Sequence, residues 1–144
     1  MTNTQLVYQW FDAVWNNKNV SAIYELMAPT CIAHGLLDES GNEIVGPEKF
    51  AGFFKTFITS FPDIQITVDD VVNENDKIAA RTTVKLSHTG EHFQVTANKS
   101  IAPSGNKVTI TGILIARIEN NQLVEAWNNY DFLSLYAQLG AVSM

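Results

Sequence analysis

Asp131 stands between Tyr130 and Phe132, where a strand-like run ending WNNYD hands over to the helix-like FLSLYAQL. A carboxylate in apolar surroundings can move a proton at a carbon next to a carbonyl. It can equally cap the following helix by accepting from the free amides of its first turn. Read as a regular strand, QLVEAWNNYD puts Leu123, Glu125, Trp127, Asn129 and Asp131 on one face. Val124, Ala126, Asn128 and Tyr130 take the other. The first face mixes an aromatic with polar groups, as suits a polar spot in an apolar cavity.

Two histidines are further candidates. His88 shares a strand face with Val84 and Leu86, so it points wherever that apolar face points. His34 lies mid-strand in CIAHGLL. For each, the alternative is a hydrogen-bonded core histidine. His88 and His92 have the i, i+4 spacing of a helical metal pair, but Thr89-Gly90 places them in a strand-to-loop region, and no metal site is expected. Cys31 is the only cysteine and has no recognisable partnering base. The sequence contains neither a glycine-rich phosphate loop nor a nucleophile elbow.

The elements along the chain must position these groups. Residues 5–17 put Leu6, Val7, Trp10, Phe11 and Val14 on one helical face, with Thr4 as N-cap. A shorter helix, VSAIYELMA, follows Asn19 and stops at Pro29. CIAHGLL reads as a strand and DESGNE as a loop. Gly46-Pro47 opens a third helix, whose stripe of Phe50, Phe53, Phe54, Phe57 and Phe61 is unusually rich in rings. Most such rings are core; Trp15, Phe53, Phe57 and Phe61 are predicted to wall a pocket as well.

The second half is β-rich. Ile64, Ile66 and Val68 alternate, as do Ile78, Ala80, Val84 and Leu86 after the turn NENDK. TGEHFQVTANKSIAPSGN reads as a long, partly irregular connection. VTITGILIARI and QLVEAWNNYD are two long strands joined across ENN, and a last helix ends at Gly140. Helices followed by antiparallel strands make an α+β pattern in one domain, residues 1–144.

With 144 residues, 46% of them hydrophobic, the chain is long enough for a sizeable core and a pocket. Its net charge of −6, with basic residues scattered, argues against a nucleic-acid partner. No apolar run approaches the roughly 20 residues that span a bilayer, so no membrane role is expected. A lone cysteine and the polar start MTNTQ lead us to expect a cytoplasmic protein. VTITGILIARI is apolar on both faces, and the helices can cover only one. A homodimer through the outer sheet face is therefore expected.

In this order and spacing, four stretches resemble the SnoaL-like polyketide cyclases. They are YQWFDAVWNNKNVSAIYELMAPTCIAHG, FPDIQITVDDVVNENDKIAART, SHTGE, and SGNKVTITGILIARIENNQLVEAWNNYDFLSLYAQLG. That family is a branch of the cone-shaped superfamily that includes nuclear transport factor 2 and the steroid isomerases. The resemblance implies a strongly curved, mixed or antiparallel sheet wrapped around three N-terminal helices, closed by a short C-terminal helix. It implies cyclisation by intramolecular aldol condensation, or a related lyase or isomerase reaction, on a small apolar carbonyl compound without a cofactor. A non-catalytic binder of the same fold is the alternative. Asp131 matches the family's acid/base position. No motif of the family fixes a second catalytic residue. On shared strand faces alone, His88 or Asn129 is the candidate donor to the developing oxyanion, and His34, Trp127 and Asn129 are expected as pocket residues with the aromatic wall. The tyrosine and base of the steroid isomerases fall near Phe11 and near Gly35, so that specific chemistry is disfavoured.

Overall fold

Thr2 starts the first helix. Its hydroxyl accepts from the Gln5 amide (3.1 Å), and the Gln5 side chain accepts from the Thr2 amide (2.9 Å). This reciprocal capping box satisfies two amides at once. In the computed structural model, which describes residues 1–142, α1 (Asn3–Gln9) therefore begins two residues earlier than a Thr4 cap would place it. From Trp10 to Asn16 the helix continues with π-helical turns. Hydrogen bonds that close over five residues bring residues five apart, Trp10 and Trp15, toward one face. Both indoles are consequently buried.

Helix α2 (Val20–Leu26) is capped by the Asn19 side chain, which accepts from Ser21 N (3.1 Å). The chain extends immediately after it into β1 (Met27–Leu37), which runs through Pro29 rather than starting beyond it. A short strand β2 (Glu43–Val45) follows the loop, and α3 (Gly46–Ser60) starts with Pro47 in its first turn. Strands β3 (Gln65–Glu74) and β4 (Lys77–Ser87) pair as a hairpin. The connection expected to be irregular contains a small hairpin, β5 (Phe93–Thr96) and β6 (Lys99–Ile101). Strands β7 (Lys107–Glu119) and β8 (Gln122–Tyr130) meet across Asn120 and Asn121, both at positive φ. Asparagine tolerates that conformation in tight hairpin turns. The short helix α4 (Phe132–Gln138) closes the fold.

The main sheet has the order β2-β1-β8-β7-β4-β3, antiparallel except between β1 and β8. This is the curved mixed sheet and four-helix α+β arrangement predicted above. Its concave face holds the core: Phe11, Phe54, Phe61, Leu6, Ile23 and Ile78 are almost fully buried. Each such side chain contributes about 1.5–3 kcal/mol by leaving water.

One irregularity decides which side chains enter the cone. Between β7 and β8, Arg117 pairs with Glu125 but Ile118 pairs with Leu123, so Val124 has no partner of its own. Such a bulge inserts one residue and reverses the alternation on the two sides of it. Leu123 faces inward before the bulge, and Ala126, Asn128 and Tyr130 face inward after it. Strict alternation had placed Trp127, Asn129 and Asp131 with Leu123. The bulge turns them away instead.

Candidate functional site

Inside the cone lies an apolar cavity of about 60 Å3. The π-helical segment supplies Trp10, Phe11 and Trp15, and α3 supplies Phe50, Phe53 and Phe57. The sheet supplies Cys31, Ala33, Val84, Ile110 and Leu114 among others, and Phe132 and Leu135 of α4 close one end. Trp15 is the hub of the wall, making edge-to-face contacts with Phe50, Phe53, Phe54 and Phe57 at centroid distances of 5.2–6.5 Å. Such geometry sets the positive ring edge against a negative face.

Apart from the indoles and the Cys31 thiol, the polar side chains of the lining are Asn128 and Tyr130. Asn128 is held in place by donating from Nδ2 to the His34 carbonyl oxygen (3.0 Å). Close approach of β1 makes this possible. Gly35 adopts φ +85°, and a Cβ there would lie 2.0 Å from the Asn128 carbonyl oxygen. Tyr130 lays its ring over Gly112, where a Cβ would come within 2.2 Å of it. Burial pushes the Tyr130 hydroxyl up to about 12, partly offset by the neighbouring Thr82 hydroxyl. Thr82 gives its own proton to the Gly112 carbonyl oxygen (3.0 Å). Burial likewise pushes the Cys31 thiol up to about 12, so it stays protonated and is a poor nucleophile.

The other predicted site residues are scattered around this cavity. Trp15, Phe53 and Phe57 line it, while Phe61 is fully buried one layer behind, against Phe57, Phe93 and His88. His88 points inward, as its strand face predicts, but sits behind Phe61 rather than in the lining. Its Nε2 donates to the Glu91 carbonyl oxygen (2.9 Å), and its Nδ1 has no partner among the described residues. Asp131 is exposed and caps α4, its carboxylate accepting from Ser134 N (3.0 Å). It lies between two lining residues, Tyr130 and Phe132, but does not itself line the cavity.

His34 and Trp127 stack on the opposite, convex face of the sheet, 5.7 Å apart, and Asn129 is exposed there. His34 bridges Glu43 and Glu125, and Glu125 is reached in turn by Arg117. The grouping of His34, Trp127, Asn129 and Asp131 with the aromatic wall is thus corrected. The inward polar residues of β8 are Asn128 and Tyr130. A signal for this was present: Glu125 cannot share a buried face with Leu123 unless a partner is buried beside it, and that conflict marks the bulge.

Among the described residues, no cluster of three or more histidine, cysteine, aspartate or glutamate side chains is arranged to hold a metal ion. No described helix is long and apolar enough to cross a membrane.

A helix-filled cone with an apolar interior defines a class, and the sequence match places the chain within it. The description SnoaL-like polyketide cyclase matches residues 5–139, so the chain belongs to that family. IdmH from Streptomyces antibioticus, named as a candidate polyketide cyclase, superposes with a TM-score of 0.79 at 22% identity, over 97% of this chain and 99% of its own. A candidate SnoaL-like polyketide cyclase from Jannaschia sp. CCS1 gives 0.78 at 20%, over 97% and 92%. A protein of ketosteroid isomerase-like fold from Catenulispora acidiphila DSM 44928, crystallised with trimethylamine, gives 0.76 at 15%, over 98% and 96%. At these identities the likeness establishes the fold. None of the curated proteins matches the chain.

Proposed function

We propose that the protein binds a small apolar carbonyl compound in the cone. There it acts as a cofactor-independent cyclase of the intramolecular aldol type, or as a related lyase or isomerase. The observation that carries this reading is the apolar cavity with two polar side chains of β8, Asn128 and Tyr130, in its wall. Such a site selects a molecule that is mostly hydrocarbon with its oxygen at one end. Membership of the cyclase family supports the reaction class.

In the aldol reaction a base takes the proton α to one carbonyl. The enolate carbon then bonds to the second carbonyl carbon, whose oxygen takes the proton back. Asp131 is the carboxylate bracketed by two lining residues, and we keep it as the candidate base at the rim. His88, one layer behind Phe61, would reach the reaction only through that wall, and we assign it no step. A specific observation favours the second reading, a non-catalytic binder: the lining contains no carboxylate and no imidazole.

The two readings separate in one experiment. Apolar diketones that raise the melting temperature are incubated with the protein, and loss of one carbonyl is followed. If Asp131 is the base, Asp131→Asn lowers turnover roughly 10²–10⁴-fold and leaves affinity unchanged. Unaltered turnover removes Asp131 from catalysis, and no turnover in the wild type leaves the binder.

The assembly we propose is a homodimer through the convex sheet face. His34, Trp127, Ile115, Ala79 and Val72 are directly opposed across five strands, forming a largely apolar row. Rows of mixed charge flank it: Glu125, Arg117, Lys77 and Glu74 on one side, Arg81 and Asp70 on the other. A two-fold axis would lay such a surface on itself with opposite charges able to meet. The buried free thiol of Cys31 supports a reducing, cytoplasmic setting.

A further inference from the structure

We infer that the Tyr130 hydroxyl is the group that receives the ligand's carbonyl oxygen. This rests on the proposed reading of the cone as a carbonyl-binding site and assigns that site its point of recognition.

Three observations converge on it. The bulge at Val124 turns Asn128 and Tyr130 inward together, two residues apart on one strand. Their side-chain ends part from there: the Tyr130 ring crosses Gly112 of β7 toward Thr82 of β4, while the Asn128 amide reaches to β1 on the other side. Asn128 spends an amide hydrogen on the His34 carbonyl, which fixes that group on the β1 side, away from the phenol. Thr82 is committed to the Gly112 carbonyl, so toward Tyr130 it offers only a lone pair. The phenol keeps its proton and can turn it to Thr82 when the cavity is empty and to a ligand when it is filled.

Elsewhere in the wall the side chains able to donate strongly are the Asn128 amide and the indoles of Trp10 and Trp15. A ligand carbonyl turned to the aliphatic and phenyl parts of the wall would be desolvated without a partner, a cost that restricts its orientation. Tyr130 also stays an acid throughout. Its role is to donate to a carbonyl, or to the enolate oxygen that forms from it, and a separate group must take the proton from carbon.

The test uses cyclopentanone and its hydrocarbon isostere methylenecyclopentane, with binding followed by ligand-observed NMR and the ketone's carbonyl stretch by infrared. Wild type should prefer the ketone and lower its stretching frequency. Tyr130→Phe should cut the preference roughly three- to tenfold and restore the frequency toward that in hydrocarbon, while methylenecyclopentane binds as before. Thr82→Val removes the competing acceptor and should increase the ketone preference, which also covers the case where Tyr130→Phe folds poorly. A preference and frequency unchanged in Tyr130→Phe, or a ketone preference unchanged or lowered in Thr82→Val, would overturn the assignment and leave the cavity reading intact. If wild type binds neither probe, the carbonyl-binding reading fails, and this inference with it.

Discussion

The Nε2 of His34 lies 2.7 Å from a carboxylate oxygen of Glu125, while its Nδ1 lies 2.7 Å from Glu43. The hydrogen bond to Glu125, then that to Glu43, raises the His34 pKa, and the same His34 bond holds the Glu125 carboxyl below its ordinary value. A raised histidine stabilises the fold fully below its unfolded value of roughly 6.5, and that stability is lost as pH rises through the folded value. A depressed carboxyl does so above roughly 4.3, and its stability is lost as pH falls. Both contributions overlap near pH 5–6. The melting-temperature gap between wild type and His34→Gln should therefore be widest there and shrink toward pH 8–9. It should also shrink in high salt, because these groups remain partly exposed. A gap constant from pH 5 to 9 would contradict the bridge.

Asp131 separates a structural role from a chemical one. As the cap of α4, Asp131→Ala should cost about 1 kcal/mol in urea denaturation, while Asp131→Asn, an equally good cap, should cost a few tenths. Equal losses for both would mean that the charge matters beyond the hydrogen bond to Ser134.

Phe57 touches Trp15, Phe53, Phe61, Phe93 and Phe132 at centroid distances of 4.9–6.5 Å. Phe57→Ala should destabilise by about 3 kcal/mol and enlarge the cavity. An engineered apolar cavity of about 150 Å3 takes benzene. The present cavity is about 60 Å3, so enlarging it should strengthen the binding of an apolar ring such as benzene in the variant. Thermal shift with benzene reads both effects, and a variant that binds it no better than wild type would show that the site has collapsed.

Ile113 and Ile115 remain 46% and 40% exposed in the centre of the convex face, and Val72 64%. Wild type should sediment as a dimer at micromolar concentration. Ile115→Lys should weaken association at least tenfold by placing a charge in the apolar row, with secondary structure retained in circular dichroism. A wild-type monomer would refute the dimer.

By itself, the sequence determined the types and order of the long elements, because those depend on local physics, while the short strands β2, β5 and β6 were not legible in it. The 3.6-residue spacing of Leu6, Val7, Trp10 and Phe11 marks a helix, alternation from Ile78 to Leu86 marks a strand, and Pro47 and Gly140 mark helix ends. It also determined that Trp15 and the phenylalanines of α3 would be packed together, since so many rings on one stripe have to leave water. Tertiary pairing decided the site. One unpaired residue, Val124, reverses which side chains of β8 face the cone; Glu125 near Leu123 marks the conflict within the strand, and only the pairing with β7 resolves it. The bulge exists because Arg117 and Ile118 of β7 pair with Glu125 and Leu123, a match between strands that puts the ion pair outside and the leucine inside. The same step put Trp127 against His34 on the convex face and brought Asn128 and Tyr130 into the cavity. Helix and strand are set by neighbours in the chain; the face that a side chain takes is set by the strand beside it.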